Sequence, residues 1–182
     1  MEWIEVVIEE YKTLREESLT AMQLQQSVLR YGVAIVGLLT VTSFHLWSDQ
    51  LLSGAVLFVF VPLLSYLILI ISMGEVARMM RVGWFLKALE DKINEHFPNN
   101  EPALTWENFL RDKSGHQTPQ LNWNYLGIIC LFLSIPVATI ILGNVRLWQV
   151  YDTKTLLFFN VSEAVVFAAV FIHLLITGQR FR

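Results

Sequence analysis

Apolar residues in this chain gather into runs instead of alternating with polar ones. Residues 31–47 read YGVAIVGLLTVTSFHLW and residues 51–73 read LLSGAVLFVFVPLLSYLILIISM, and neither run holds Asp, Glu, Lys or Arg. Residues 125–142 are YLGIICLFLSIPVATIIL. Residues 156–177 are LLFFNVSEAVVFAAVFIHLLIT, with one carboxylate, Glu163, inside. A hydrocarbon core about 30 Å thick is crossed by about 20 helical residues. All four runs suit that length, whereas a spanning strand needs about 10 residues of alternating pattern. The pattern predicts an all-α integral membrane protein with four transmembrane helices. Only Ser48, Asp49 and Gln50 separate the first two runs, which forces an antiparallel hairpin.

The flanking segments have a different period. Residues 1–30 lack Gly and Pro and are rich in helix formers. Trp3, Val7, Tyr11 and Leu14, then Met22, Val28 and Leu29, keep helical spacing, while Glu2, Glu5, Glu9, Glu10, Glu16 and Glu17 take other faces. This predicts one helix running without a break into the first span. Six glutamates and no early apolar run are unlike a cleaved signal peptide, so the first span is expected to be retained. After Gly74, the residues Met79, Met80, Gly83, Leu86, Leu89, Ile93 and Phe97 again step by three or four until Pro98. The hairpin places this helix beside the N-terminal one, and their stripes should bury each other as a short antiparallel coiled coil. The turn-rich PNNEP follows, then TWENFLR, a short helix capped by Thr105 with Glu107 in its first turn. Trp106, Phe109 and Leu110 are expected to tuck beneath the helix pair, and DKSGHQTPQ (112–120) to form a loop. The organisation expected is an N-terminal helix (1–30), a transmembrane hairpin (31–73), a helical loop (74–124), a second transmembrane pair (125–177) and a short tail (178–182).

Composition agrees with a membrane setting. Of 182 residues, 54% are hydrophobic and 16% charged, against about 25% charged in an ordinary soluble domain. The single cysteine, Cys130, excludes a disulfide scaffold. With 13 Lys and Arg against 16 Asp and Glu, no direct nucleic-acid binding is expected. Eleven of the basic residues flank one side of the predicted spans, and only Arg146 and Lys154 the other. The positive-inside rule puts both termini and the middle loop in the cytoplasm, which for a bacterial inner-membrane protein is the side of the larger count. Tyr31, Trp47, Trp123, Tyr125, Trp148 and Tyr151 stand at span ends, as interfacial aromatics do.

Candidate chemistry is sparse. A carboxylate at the centre of a spanning helix costs about 2.5–3.5 kcal/mol on insertion scales, and less near an interface. Glu163 lies roughly 10 Å in from the outer end, by the helical rise, and Asn160 shares nearly its face. The pair reads either as a polar lining for ions or protons, or as a hydrogen-bond clamp between helices. For a clamp, His45 near the outer end of the first span is the first partner to consider, and Arg146 the second. His173 sits near the cytoplasmic end of the fourth span, where a histidine reaches the interface or serves as a proton site. Pro62 and Pro136 mark kinks within the second and third spans. Ala164 and Ala168 form a small-xxx-small pair that favours close helix approach. Trp3, Met79, Met80, Trp84 and Trp106 are the residues expected to meet other copies or a partner. The histidines are scattered, and no metal motif, nucleophile elbow, P-loop or dinucleotide fingerprint occurs, so no metal, no cofactor and no enzyme activity are expected.

Two resemblances add to this reading. Arg111 and His116 stand as R-DKSG-H, which resembles the R-x4-6-H signature of HEPN ribonucleases, although Gly115 and Pro119 predict a loop where that family has a helix. YKTLREE, LTWENFLR and the order of helix, hairpin, helical loop and second hairpin resemble small four-span bacterial inner-membrane proteins. In size and layout the chain also resembles the membrane accessory proteins of type VI-B CRISPR systems. That resemblance implies a ring-shaped pore acting in antiviral defence. Two functions are carried forward: a self-assembling pore or ion channel, with lipid and copies of itself as partners, and a membrane-anchored adaptor whose cytoplasmic hairpin binds a protein.

Overall fold

The computed structural model describes residues 3–96, 104–106 and 123–179, and its regular elements are all helices, with no strand among the described residues. Four long helices account for nearly all of it: α1 (Trp3–His45), α2 (Gln50–His96), α3 (Trp123–Leu147) and α4 (Thr153–Gln179). Each holds a stretch long and apolar enough to cross a membrane. Phe97, Pro98, the PNNEP turn, Glu107, Phe109, Leu110, Arg111, the 112–120 segment with His116, and Glu2 lie outside the described residues.

α1 runs unbroken for 43 residues, as the absence of Gly and Pro over its first 30 predicts. The tight link to α2 is a cap: the Asp49 carboxylate accepts from the Leu52 amide at 3.0 Å. Such a cap satisfies one otherwise unpaired amide and contributes about 1 kcal/mol. α2 opens with an α-helical turn, Gln50–Ala55, widens to a π-helix over Val56–Phe60, and is α-helical again from Val61. Pro62 explains the widening. It has no N–H to donate, and in a regular helix its ring would collide with the Phe58 carbonyl. The wider turn, in which the Val61 amide donates to the Val56 carbonyl, makes room for the ring without ending the helix. Pro62 and Pro136 are both fully buried.

Two compact units divide the chain. The charged unit comprises Met1–Gln25 and Gly74–Asn122. In it the start of α1 and the end of α2 pack antiparallel. Trp3 meets His96 at a tilt (5.5 Å between ring centroids), Tyr11 donates to Glu90 at 2.9 Å, and Glu17 lies 3.8 Å from Arg78. Val7, Leu89 and Ile93 are its core, with Ile4, Ile8, Tyr11, Leu14 and Leu104 against them. The stripe on α2 is turned slightly from the expected one. Val82, Leu86, Leu89, Glu90 and Ile93 are buried, while Met79 and Met80 are half-buried. Trp3, Met22 and Trp84 are exposed. Trp106 is exposed too and does not tuck beneath the pair: the Arg15 guanidinium sits 5.7 Å from its ring centroid. An indole face attracts a guanidinium, which accounts for that contact.

The apolar unit comprises Gln26–Met73 and Trp123–Arg182. Its central element is α2, which has half of its apolar window buried, against 17%, 22% and 11% for α1, α3 and α4. Its largest core joins Val36, Val61, Tyr66, Ile68, Leu69, Met73, Phe132, Val170 and Leu174. Helices come closest at glycines. A Cβ on Gly54 would lie 2.6 Å from the Leu147 side chain, one on Gly143 2.8 Å from Phe58, and one on Gly32 2.8 Å from Ile68. The expected approach at Ala164 and Ala168 does not occur within the chain, for both are exposed. An alanine pair gives close contact only on a face turned toward another helix, and these two lie on the outer face of α4.

Candidate functional site

α4 is apolar on all sides, and one stripe of it faces the interior. Leu156, Phe159, Asn160, Glu163, Phe167, Val170 and Leu174 step by three or four and are buried or half-buried. Leu157, Phe158, Val161 and Val165, between them, are more than half exposed. Glu163 therefore belongs to the inward stripe. Two aromatic contacts hold that stripe against α2: Phe159 meets Phe58 edge-on at 6.2 Å, and Phe167 meets Tyr66 edge-on at 6.3 Å. Phe167 is one turn beyond Glu163, so the ring contact with Tyr66 lies one helical turn from the carboxylate.

Tyr66 is 2% exposed, and its hydroxyl has no hydrogen-bond partner. Glu163 Oε2 is likewise buried without a partner. A buried polar group left unbonded costs about 1–3 kcal/mol, more if charged. The cations that might have answered Glu163 are elsewhere. Arg146 donates to the Trp47 carbonyl and lies 4.1 Å over the centroid of that indole. His45 and His173 are exposed. The partners expected for a Glu163 clamp, His45 first and Arg146 second, are therefore not in place.

A clamp exists one turn away, and Asn160 makes it. Its amide donates to Asn144 Oδ1 at 2.7 Å, and the Asn144 amide returns a bond to Asn160 Oδ1 at 2.8 Å. Asn160 Nδ2 also donates to the Leu156 carbonyl and Asn144 Nδ2 to the Ile140 carbonyl, each four residues back. Both NH2 groups thus use both their hydrogens, and the pair ties α3 to α4. Hydrogen bonds between spanning helices contribute about 0.6 kcal/mol on average. Asn144 lies just past the third apolar run, outside the stretch in which a polar residue stands out. Tyr66 was missed because a tyrosine inside an apolar run looks like packing until its hydroxyl is seen to lack a partner.

The charged unit holds a second buried carboxylate. Glu90 is fully buried and accepts the Tyr11 hydroxyl. Burial first, then that hydrogen bond and the Glu90 charge, push the Tyr11 phenol above its usual pKa, with Arg15 pulling the other way. No group of three or more His, Cys, Asp or Glu side chains among the described residues could hold a metal ion. No family model matches the chain, and comparison with curated proteins and with solved structures returns no match either.

Proposed function

We propose that this is a membrane-embedded protein that assembles from several copies and conducts ions as a pore or channel. The observation that carries the reading is the Glu163 carboxylate, set on the inward stripe of α4 with Oε2 unbonded and no described cation beside it. Ionisable groups within spanning helices are expensive and mark ion or proton paths by default. One chain is not itself the conduit. Past Glu163 the interior is filled by Phe132, Leu69, Met73, Val170 and Leu174. A path requires several copies around an axis, and α1 and α4 have the apolar surface to supply the contacts. The basic-residue count orients both termini toward the cytoplasm of a bacterial cell. Antiviral defence is the setting implied by the layout resemblance.

Native mass in a lipid nanodisc tests assembly, and currents across a planar bilayer test conduction. A closed ring of copies and a changed ion selectivity or conductance in Glu163→Gln are expected. Unchanged currents in that variant would remove Glu163 from the path. A monomer would favour the second reading, a membrane-anchored adaptor. Trp84 and Phe85, 54% and 48% exposed on the charged unit, together with Trp3 and Trp106, are the contact residues in that case.

A further inference from the structure

The geometry points to a binding site for a single monovalent cation between Tyr66 and Glu163. The two unbonded oxygens come from different helices and lie in one buried neighbourhood. The Tyr66 ring is fixed by its edge contact with Phe167, one turn from Glu163. Each of Tyr66 Oη and Glu163 Oε2 is buried, and neither bonds to the other. Neither oxygen is satisfied within the chain, so both can turn to one small guest.

The chemistry of the lining selects the guest. The only formal charge is negative, and the described cations are engaged or exposed elsewhere. The donors are hard oxygens, with no imidazole or thiolate, which suits an alkali cation and not a transition metal. One carboxylate neutralises one monovalent charge. A divalent ion would keep a net positive charge in an apolar surround, which burial penalises.

The site belongs to a single chain, so its test is independent of assembly and conduction. Dicyclohexylcarbodiimide adds to a protonated carboxyl in an apolar setting, with every atom retained in the adduct. The adduct on Glu163 is followed by mass spectrometry in nanodiscs, in Na+, in K+ and in choline at equal ionic strength. Na+ or K+ at about ten times its dissociation constant should slow labelling about tenfold by occupying the site, and Tyr66→Phe should abolish most of that protection. Equal rates in all three salts would overturn the site. Thermal melting supplies the second readout. The wild type should gain melting temperature in Na+ or K+ over choline, and Glu163→Gln should not. A gain of equal size in both proteins also overturns the proposal.

Discussion

Tyr11 and Glu90 show how a hydrogen bond helps to make a buried carboxylate tolerable. Glu90 is on the inner face of the α2 stripe, where an unpaired charge is costly. The phenol donates to it at 2.9 Å, and burial first, then that bond, hold the phenol protonated above the ordinary tyrosine value. The direction sets the pH dependence. A folded-state pKa raised above the unfolded value stabilises fully below about pH 10, and that stabilisation is lost as pH climbs through the folded value. Tyr11→Phe should lower stability near neutrality by about 1 kcal/mol, and its deficit should shrink on the alkaline side. Melting curves of the two proteins from neutral to strongly alkaline pH check this; curves that stay parallel throughout would refute it. Glu163 and Asn160 were legible as exceptional residues, because a polar group in an apolar run is visible without a structure. Their partners were not. Asn144 and Tyr66 are unremarkable in one dimension, and only the packing of α2, α3 and α4 puts them opposite the two polar residues of α4.

The helices themselves follow from the run lengths, the absence of early breakers in α1 and the three-residue link. What the runs leave open is how closely each pair approaches. Gly143, Gly54 and Gly37 form a graded series. A Cβ on Gly143 would lie 3.0 Å and 3.1 Å from the backbone N and Cα of Phe58, atoms that cannot swing aside. On Gly54 the clash is with the end of the Leu147 side chain, which can change rotamer. On Gly37 nothing lies within 4 Å. Gly143→Ala should therefore destabilise by about 1–3 kcal/mol, as overpacking does, and Gly54→Ala by less. Gly37→Ala should be neutral or stabilising by up to about 1 kcal/mol, because alanine is the better helix former. Thermal or denaturant unfolding in detergent ranks the three, and any other order would contradict the packing described. The π-helix before Pro62 belongs to this scale as well. A proline in a run predicts a kink, but the choice between a bend and a widened turn depends on what packs around Phe58.

At the scale of the whole molecule, the distribution of Lys and Arg is the strongest directional signal. It gives opposite sides to Lys12 and Lys154, both exposed. With the single cysteine removed as Cys130→Ser, a membrane-impermeant maleimide added to intact bacterial cells should label Lys154→Cys and spare Lys12→Cys. The reverse pattern would invert the topology and place the charged unit outside the cytoplasm.

By itself the amino-acid sequence determined what local physics controls. It settled which segments are helical, that four of them are apolar enough to span a bilayer, and that one carries an isolated carboxylate. Run length, periodicity and charge counts are properties of neighbours along the chain. The tertiary structure decided which faces meet. It turned Asn160 to Asn144, took Arg146 away to Trp47, buried Glu90 under Tyr11 and left Ala164 and Ala168 outside. The reason is geometric. A helix that is apolar all round has no sequence-encoded inner face, so the rotation of α4 is set by aromatic edges against α2 and the amide pair with α3.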